Sequence, residues 1–198
     1  MKMYGKLLII AGFPCSGKTT YINAIHDFFG SFISRRIFYT NRQPRSREEF
    51  LNSTDYKFIA NPEYAKLSNQ TDWHWAKWYD FDYGFHMESE VTRLQKGEKI
   101  VIGTAPHISY LYDMQKIHGK NNVSSILLYV DYKTIVDRLK KRPQHEHKRI
   151  LAFDQNEIDE YSRIADVVFK PKKDLLDDCK KILAIATQML HTNNQTSP

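Results

Sequence analysis

Cysteine is nearly missing from this chain: Cys15 and Cys179 are the two thiols in 198 residues, far apart and in no ligand spacing. That excludes a disulfide scaffold and a zinc ribbon. Long apolar runs are missing too, and none approaches the roughly 18 residues that a membrane span needs. The segment Leu7–Ala11 is too short for a secretory core and runs into Gly12 and Pro14, so a cytoplasmic protein without a membrane partner is expected. No internal repeat occurs, and the one low-complexity piece is the polar tail 192–198, expected to be disordered. Basic residues outnumber acidic ones by 29 to 23, yet no lysine tail or basic repeat appears. The clusters at Arg35–Arg47, Lys140–Arg149 and Lys170–Lys173 are short and separated. They suit a polyphosphate pocket better than a duplex-binding stripe, so no nucleic-acid partner is expected.

What is present is an ordinary globular mixture, 41% hydrophobic and 26% charged, long enough for one domain with its own core. Lys6–Ala11 reads as a buried strand, and from Gly17 to Gly30 the apolar residues Ile22, Ile25 and Phe28/Phe29 recur at helical spacing. Further strands are expected at Arg36–Tyr39, Tyr56–Ile59, Lys99–Ile102, Ser125–Val130 and Asp166–Phe169. Helices are expected near Arg47–Leu51, around Met87–Leu94, after Ile108, after Val130, at Gln155–Ile164 and along Leu175–Met189. Trp73–Gly84 is crowded with aromatics and carries little period, suggesting short strands and loops. Strands alternating with helices argue for an α/β fold: a three-layer core with a parallel sheet. The expected division is a single domain over 1–191. Its core is 1–34 and 86–191, with a small insertion at about 35–85 and a short lid at about 140–150.

The segment Gly12-Phe13-Pro14-Cys15-Ser16-Gly17-Lys18-Thr19 fits G-x-x-x-x-G-K-[ST] between a buried strand and a helix, where that motif belongs. Its glycines let backbone N–H groups close around phosphate oxygens, and the following helix aims its positive end at them. Lys18 is expected to reach the β- and γ-phosphates of ATP, and the Thr19 hydroxyl to bind Mg²⁺. Gly12, Pro14, Cys15, Ser16, Gly17 and Thr20 complete the candidate ATP-binding set. The guanine-reading N-K-x-D and the D-x-x-G of switch GTPases are not present in full. Asp131, after Leu127–Val130, is a weak candidate for the strand-end aspartate of motor-type ATPases.

Asn41-Arg42-Gln43-Pro44-Arg45 puts two guanidinium groups on a proline-stiffened turn, and Tyr56 nearby adds a phenol. Arginine forks grip phosphate bidentately and tyrosine hydroxyls finish the shell. Together with the phosphate loop, Thr40–Glu48 resembles the T-R-x-P-R-x-x-E motif of guanylate kinases. Asp55–Ile59 resembles their D-Y-x-F-V, and Tyr83-Gly84 their later Y-G. Arg138-Leu139 with Arg142 is similar to the R-L-x-x-R that opens their lid, and Lys148-Arg149 to the basic pair after it. The order of motifs runs from about residue 6 to 190. The resemblance implies a P-loop nucleoside monophosphate kinase using Mg²⁺ with ATP. Arg42, Arg45, Tyr56 and Tyr83 would then hold the acceptor's phosphate. Lys18, Arg138, Arg142 and Arg149 would surround the phosphoryl group in flight.

The departures fall on the base. The guanine-reading glutamate corresponds to His74, a serine to Phe38, the residue after Tyr83-Gly84 to Phe85, and the strand-end aspartates to Gly103 and Ala105. The phosphate grips are therefore retained while the guanine readers are absent, so the acceptor is a phosphorylated small molecule of open base identity. An acceptor without a base, as for the ribose 1,5-bisphosphate phosphokinases, is one alternative. A non-catalytic module such as scaffold proteins carry is another, although intact Gly17-Lys18-Thr19 speaks against it.

Overall fold

The computed structural model describes residues 5–44, 46–78, 81–105, 107–142, 147, 154–172 and 174–191. Its first strand, β1 (Lys6–Ala11), is buried on both faces. Leu7, Ile9 and Ala11 belong to one apolar cluster and Leu8 and Ile10 to another. That alternation explains the unbroken apolar run: a central parallel strand has two dry faces, so every position from Leu7 to Ala11 is hydrophobic.

Helix α1 (Lys18–Phe29) follows the phosphate loop, then strands β2 (Ile33–Arg35) and β3 (Phe38–Thr40), helix α2 (Arg47–Asn52), strand β4 (Tyr56–Phe58) and helix α3 (Asn61–Ser68). The chain continues through β5 (Trp73–Trp78), β6 (Phe81–His86), α4 (Met87–Gln95), β7 (Lys99–Thr104), α5 (Ile108–His118) and β8 (Val123–Leu128). It closes with α6 (Tyr132–Leu139), α7 (Gln155–Ile164), β9 (Val167–Phe169) and α8 (Leu175–His191). Two sheets result. The larger is parallel with order β2-β7-β1-β8-β9. Tyr21, Ile22 and Ile25 of α1 and Ile182, Ala186 and Leu190 of α8 cover one of its faces. Leu94 of α4, Leu111 and Met114 of α5, Ile135 of α6 and Ile158 of α7 cover the other. This is the three-layer α/β core with a parallel sheet.

The second sheet has order β4-β3-β6-β5, with β5 and β6 forming an antiparallel hairpin and β3 running parallel to β4. Three local readings change. The strand expected at Arg36–Tyr39 is β3 of the small sheet, starting only at Phe38, while β2 of the large sheet precedes it unforeseen, with Arg36 in the connection between them. Trp73–Trp78 and Phe81–His86 pair as regular antiparallel strands, their period hidden because aromatics pack on both faces. Helix α3, unforeseen, has a proline in its first turn and buries no residue completely. Arg45, Arg149, most of the expected lid and the tail 192–198 lie outside the described residues.

Arg36 marks the joint between the sheets. It is 4% exposed, and its Nε donates to Glu90 Oε2 at 2.5 Å. Its Nη2 bonds the other Glu90 oxygen, its Nη1 bonds Tyr110 Oη, and its Cζ lies 3.7 Å from the Phe85 ring centroid. His118 Nε2 sits 2.8 Å from Glu90 Oε1. Burial alone would push the Glu90 carboxyl up, but Arg36 and His118 hold it down at about 2. A buried charge stays charged only when it is paired this fully.

Candidate functional site

The loop between β1 and α1 lies at the carboxyl end of the central strand, where open α/β sheets bind ligands. Gly12 N–H donates to Thr104 O of β7 at 3.1 Å, tying the loop's first residue to the neighbouring strand. A Cβ at Gly12 would sit 2.6 Å from Ser16 Oγ and 3.2 Å from Leu128 O, so only glycine closes this turn. Gly17 has φ 99°, and Cys15, at φ 65°, is the one non-glycine with positive φ among the described residues. The loop thus stores strain at a candidate binding position, as such loops do. Among the described residues no side chain caps the N-terminus of α1, which leaves its N–H groups for a ligand. Lys18 Nζ arches back to Gly12 O (2.5 Å) and Phe13 O (2.8 Å), placing an ammonium over the loop.

A cavity of about 190 Å³ opens beside this loop. Gly12, Pro14, Cys15, Gly17, Lys18, Thr19 and Thr20 line one wall, and Tyr56, Trp78 and Tyr83 of the small sheet line the facing wall. Gly103, Thr104 and Ala105 at the end of β7 contribute, and Arg142 borders it. No carboxylate lines it among the described residues. A second opening of about 310 Å³ lies across the loop, lined by Cys15, Ser16, Gly17, Thr20, Tyr21, Arg138, Arg142 and Leu175. Arg138 reaches over that side, its Nη1 donating to Cys15 O at 2.9 Å.

The remaining candidates are placed less directly. Arg42 does not line the cavity: its side chain is 3% exposed and pairs bidentately with Glu49 of α2, at 2.9 and 3.2 Å. The rings of Tyr56 and Phe58 lie 5.2 and 5.1 Å from its Cζ. Burial works against the Arg42 charge, but the hydrogen bond and charge of Glu49, with smaller contributions from Tyr83 and Tyr56, raise its pKa. His74, at the position of the expected base reader, tilts against Phe85 (5.4 Å) and Tyr110 (6.0 Å). Burial lowers its pKa, favouring the neutral ring, and its Nε2 is buried without a hydrogen-bond partner among the described residues. Phe38, Trp78 and Phe85 are buried, Phe38 meeting Trp78 edge-on at 5.3 Å and Phe85 at 6.4 Å. Asp131 is a helix cap: its Oδ1 accepts from Thr134 N–H at 2.8 Å at the start of α6.

A family model described as an AAA domain matches residues 8–164, from within β1 to the end of α7. The chain belongs to the AAA-domain family. Within this AAA-domain chain, a stretch of 102 residues, 51% of its length, is 29% identical to the guanylate kinase of Campylobacter jejuni, covering 48% of that protein. The guanylate kinase of Caldanaerobacter subterraneus gives 29% over 103 residues, 52% of this chain and 48% of that protein. The chain thus spans about half the length of the curated relatives it matches. The crystal structure of guanylate kinase from Anaplasma phagocytophilum superimposes with a TM-score of 0.72 at 18% identity, covering 97% of this chain and 89% of that one. The AAA-domain chain therefore has a guanylate kinase-like P-loop fold. Of its residues, sequence reasoning missed Arg36 and Glu49. The Ser46-x-x-Glu49 capping pattern was the available signal for the latter, since Ser46 Oγ accepts from Glu49 N–H at 3.1 Å.

Thr19 offers a hydroxyl to the cavity. Mg²⁺ keeps several waters and binds through few protein groups together with substrate phosphates, so a hydroxyl next to the phosphate loop is a donor that fits it.

Proposed function

We propose that the protein is a phosphotransferase that moves the γ-phosphoryl group of ATP to the phosphate of a phosphorylated acceptor of nucleoside monophosphate type. The observation that carries this reading is one cavity bounded on one side by Lys18 and Thr19 and on the other by Tyr56 and Tyr83. Lysine, arginine and hydroxyl groups and no carboxylate line it among the described residues, so both substrates would meet there through their anionic ends. In this reading the amides of Gly12–Thr19 hold the ATP phosphates, and Lys18 leaves its two carbonyls for the β- and γ-oxygens. Thr19 would hold Mg²⁺, which when bound neutralises charge on the phosphates. Tyr56 and Tyr83 would orient the acceptor phosphate, and one of its oxygens would attack the γ-phosphorus in line as ADP leaves. Arg142, bordering both openings, would spread charge off the transferring group.

A second reading, an acceptor that is a sugar phosphate without a base, is favoured by one observation: Phe38 and Phe85 are buried where a guanine-reading site would need polar groups. A site lacking acceptors for guanine N–H groups forfeits discrimination for that base. Incubating the protein with Mg²⁺, γ-labelled ATP and a panel of GMP, dGMP, AMP, CMP, UMP, ribose 5-phosphate and ribose 1,5-bisphosphate separates the readings. The expected result is label in at least one product, weak preference among bases, and loss of at least about a thousandfold in Lys18→Ala. Equal turnover in Lys18→Ala, or no labelled product from any acceptor, would refute the phosphotransferase.

A further inference from the structure

Arg42 is the arginine whose role the geometry defines most closely, and its bonding pattern is uneven. A guanidinium carries five N–H donors in a fixed plane. Nη1 and Nη2 each give one to Glu49, closing a bidentate pair across the outer edge of the group. A second Nη1 hydrogen goes to Gln43 O at 3.0 Å. Three donors are therefore spent. The two that remain, Nε–H and the second Nη2–H, form the parallel fork on the side edge, and neither has a partner among the described residues. This is a side chain 3% exposed, stacked by Tyr56, whose ring also lines the cavity. Nε is not among the buried side-chain atoms left without a partner, so this edge keeps contact with solvent, and a fork of that shape matches a phosphate.

The geometry points to Glu49 as a positioning residue for the acceptor: it grips the outer edge of Arg42 so that the side-edge fork is held, next to Tyr56, for the acceptor's phosphate. The inference rests on the phosphotransferase reading above. Without Glu49, the buried guanidinium would be left with an uncompensated charge and would turn toward water, taking the fork out of register. Glu49 also carries negative charge, so removing it strengthens the long-range pull on a phosphate. Placement outweighs that gain because a long-range pull is screened by solvent and salt while a bidentate bond depends on angle. The motif glutamate, Glu48, faces solvent and does not make this contact.

The test compares wild type with Glu49→Gln and Glu49→Ala, using the acceptor from the panel above that wild type turns over fastest. The cap at Ser46 uses the Glu49 backbone N–H, so both variants keep it. Glu49→Gln retains one acceptor oxygen and is expected to raise the acceptor KM several-fold, and Glu49→Ala about tenfold or more. The ATP KM and kcat should stay within about twofold in both, a split that general loosening of the fold would not give. An unchanged acceptor KM, a lowered one, or equal increases for both substrates would overturn the inference while leaving the phosphotransferase standing. A wild-type chain inert toward the whole panel would instead remove the reading beneath it, and the inference with it.

Discussion

At the scale of single residues, the small sheet depends on what Gly84 leaves out. A Cβ there would lie 2.4 Å from Trp75 Cδ2, inside a ring that cannot bend. Trp75 is itself fixed, stacked on Trp73 at 5.6 Å and met edge-on by Tyr64 at 5.0 Å. Gly84→Ala should therefore cost about 1–3 kcal/mol, the usual range for overpacking, and lower the thermal midpoint; an unchanged midpoint would mean the ring is mobile. Tyr83-Gly84 was legible as a pair from its resemblance, but the reason for the glycine was not, because Trp75 meets it only across the hairpin register. The phosphate loop was legible residue by residue because its chemistry is local. Its strained member was less so: Cys15 occupies a left-handed conformation that nothing in its side chain announces.

Among the elements, legibility follows the distance over which each is stabilised. β1, α1 and α8 carry their period in their own residues, so pattern alone places them. β2 and β3 do not. The break at Arg36 is set by Glu90, 54 positions away, and by Tyr110, 74 away. That network ties the turn before the small sheet to α4 and α5, and it makes an acid-sensitive joint. The Glu90 pKa is about 2 in the fold against an ordinary 4.5. The unfolded chain therefore takes up a proton first as pH falls. The pair's contribution is complete above about 4.5 and is lost between there and about 2, up to roughly 3 kcal/mol. Denaturant unfolding of wild type should show that fall. Glu90→Gln should be less stable at pH 7, because Arg36 keeps a buried charge, and should show a flatter acid limb. Matching curves for the two proteins would place the acid sensitivity elsewhere.

For the whole molecule, a parallel sheet presents the phosphate loop at its carboxyl edge, and a separate mixed sheet brings phenols to face it. The sequence order of motifs was enough to anticipate that Tyr56 and Tyr83 come together with the phosphate loop. It was not enough to show that Glu49 holds Arg42 beside Tyr56, nor that Phe38, Trp78 and Phe85 pack where a base reader was sought. Both arise from packing between segments with no shared period. The central claim is that donor and acceptor phosphates occupy opposite walls of one cavity, and Tyr83→Phe tests it most directly because it deletes one hydroxyl from the acceptor wall. Steady-state kinetics should show the acceptor KM rising about tenfold, the loss expected for one hydrogen bond to a charged group, with the ATP KM within about twofold of wild type. A rise in the ATP KM of the same size, or an acceptor KM that does not move, would contradict it.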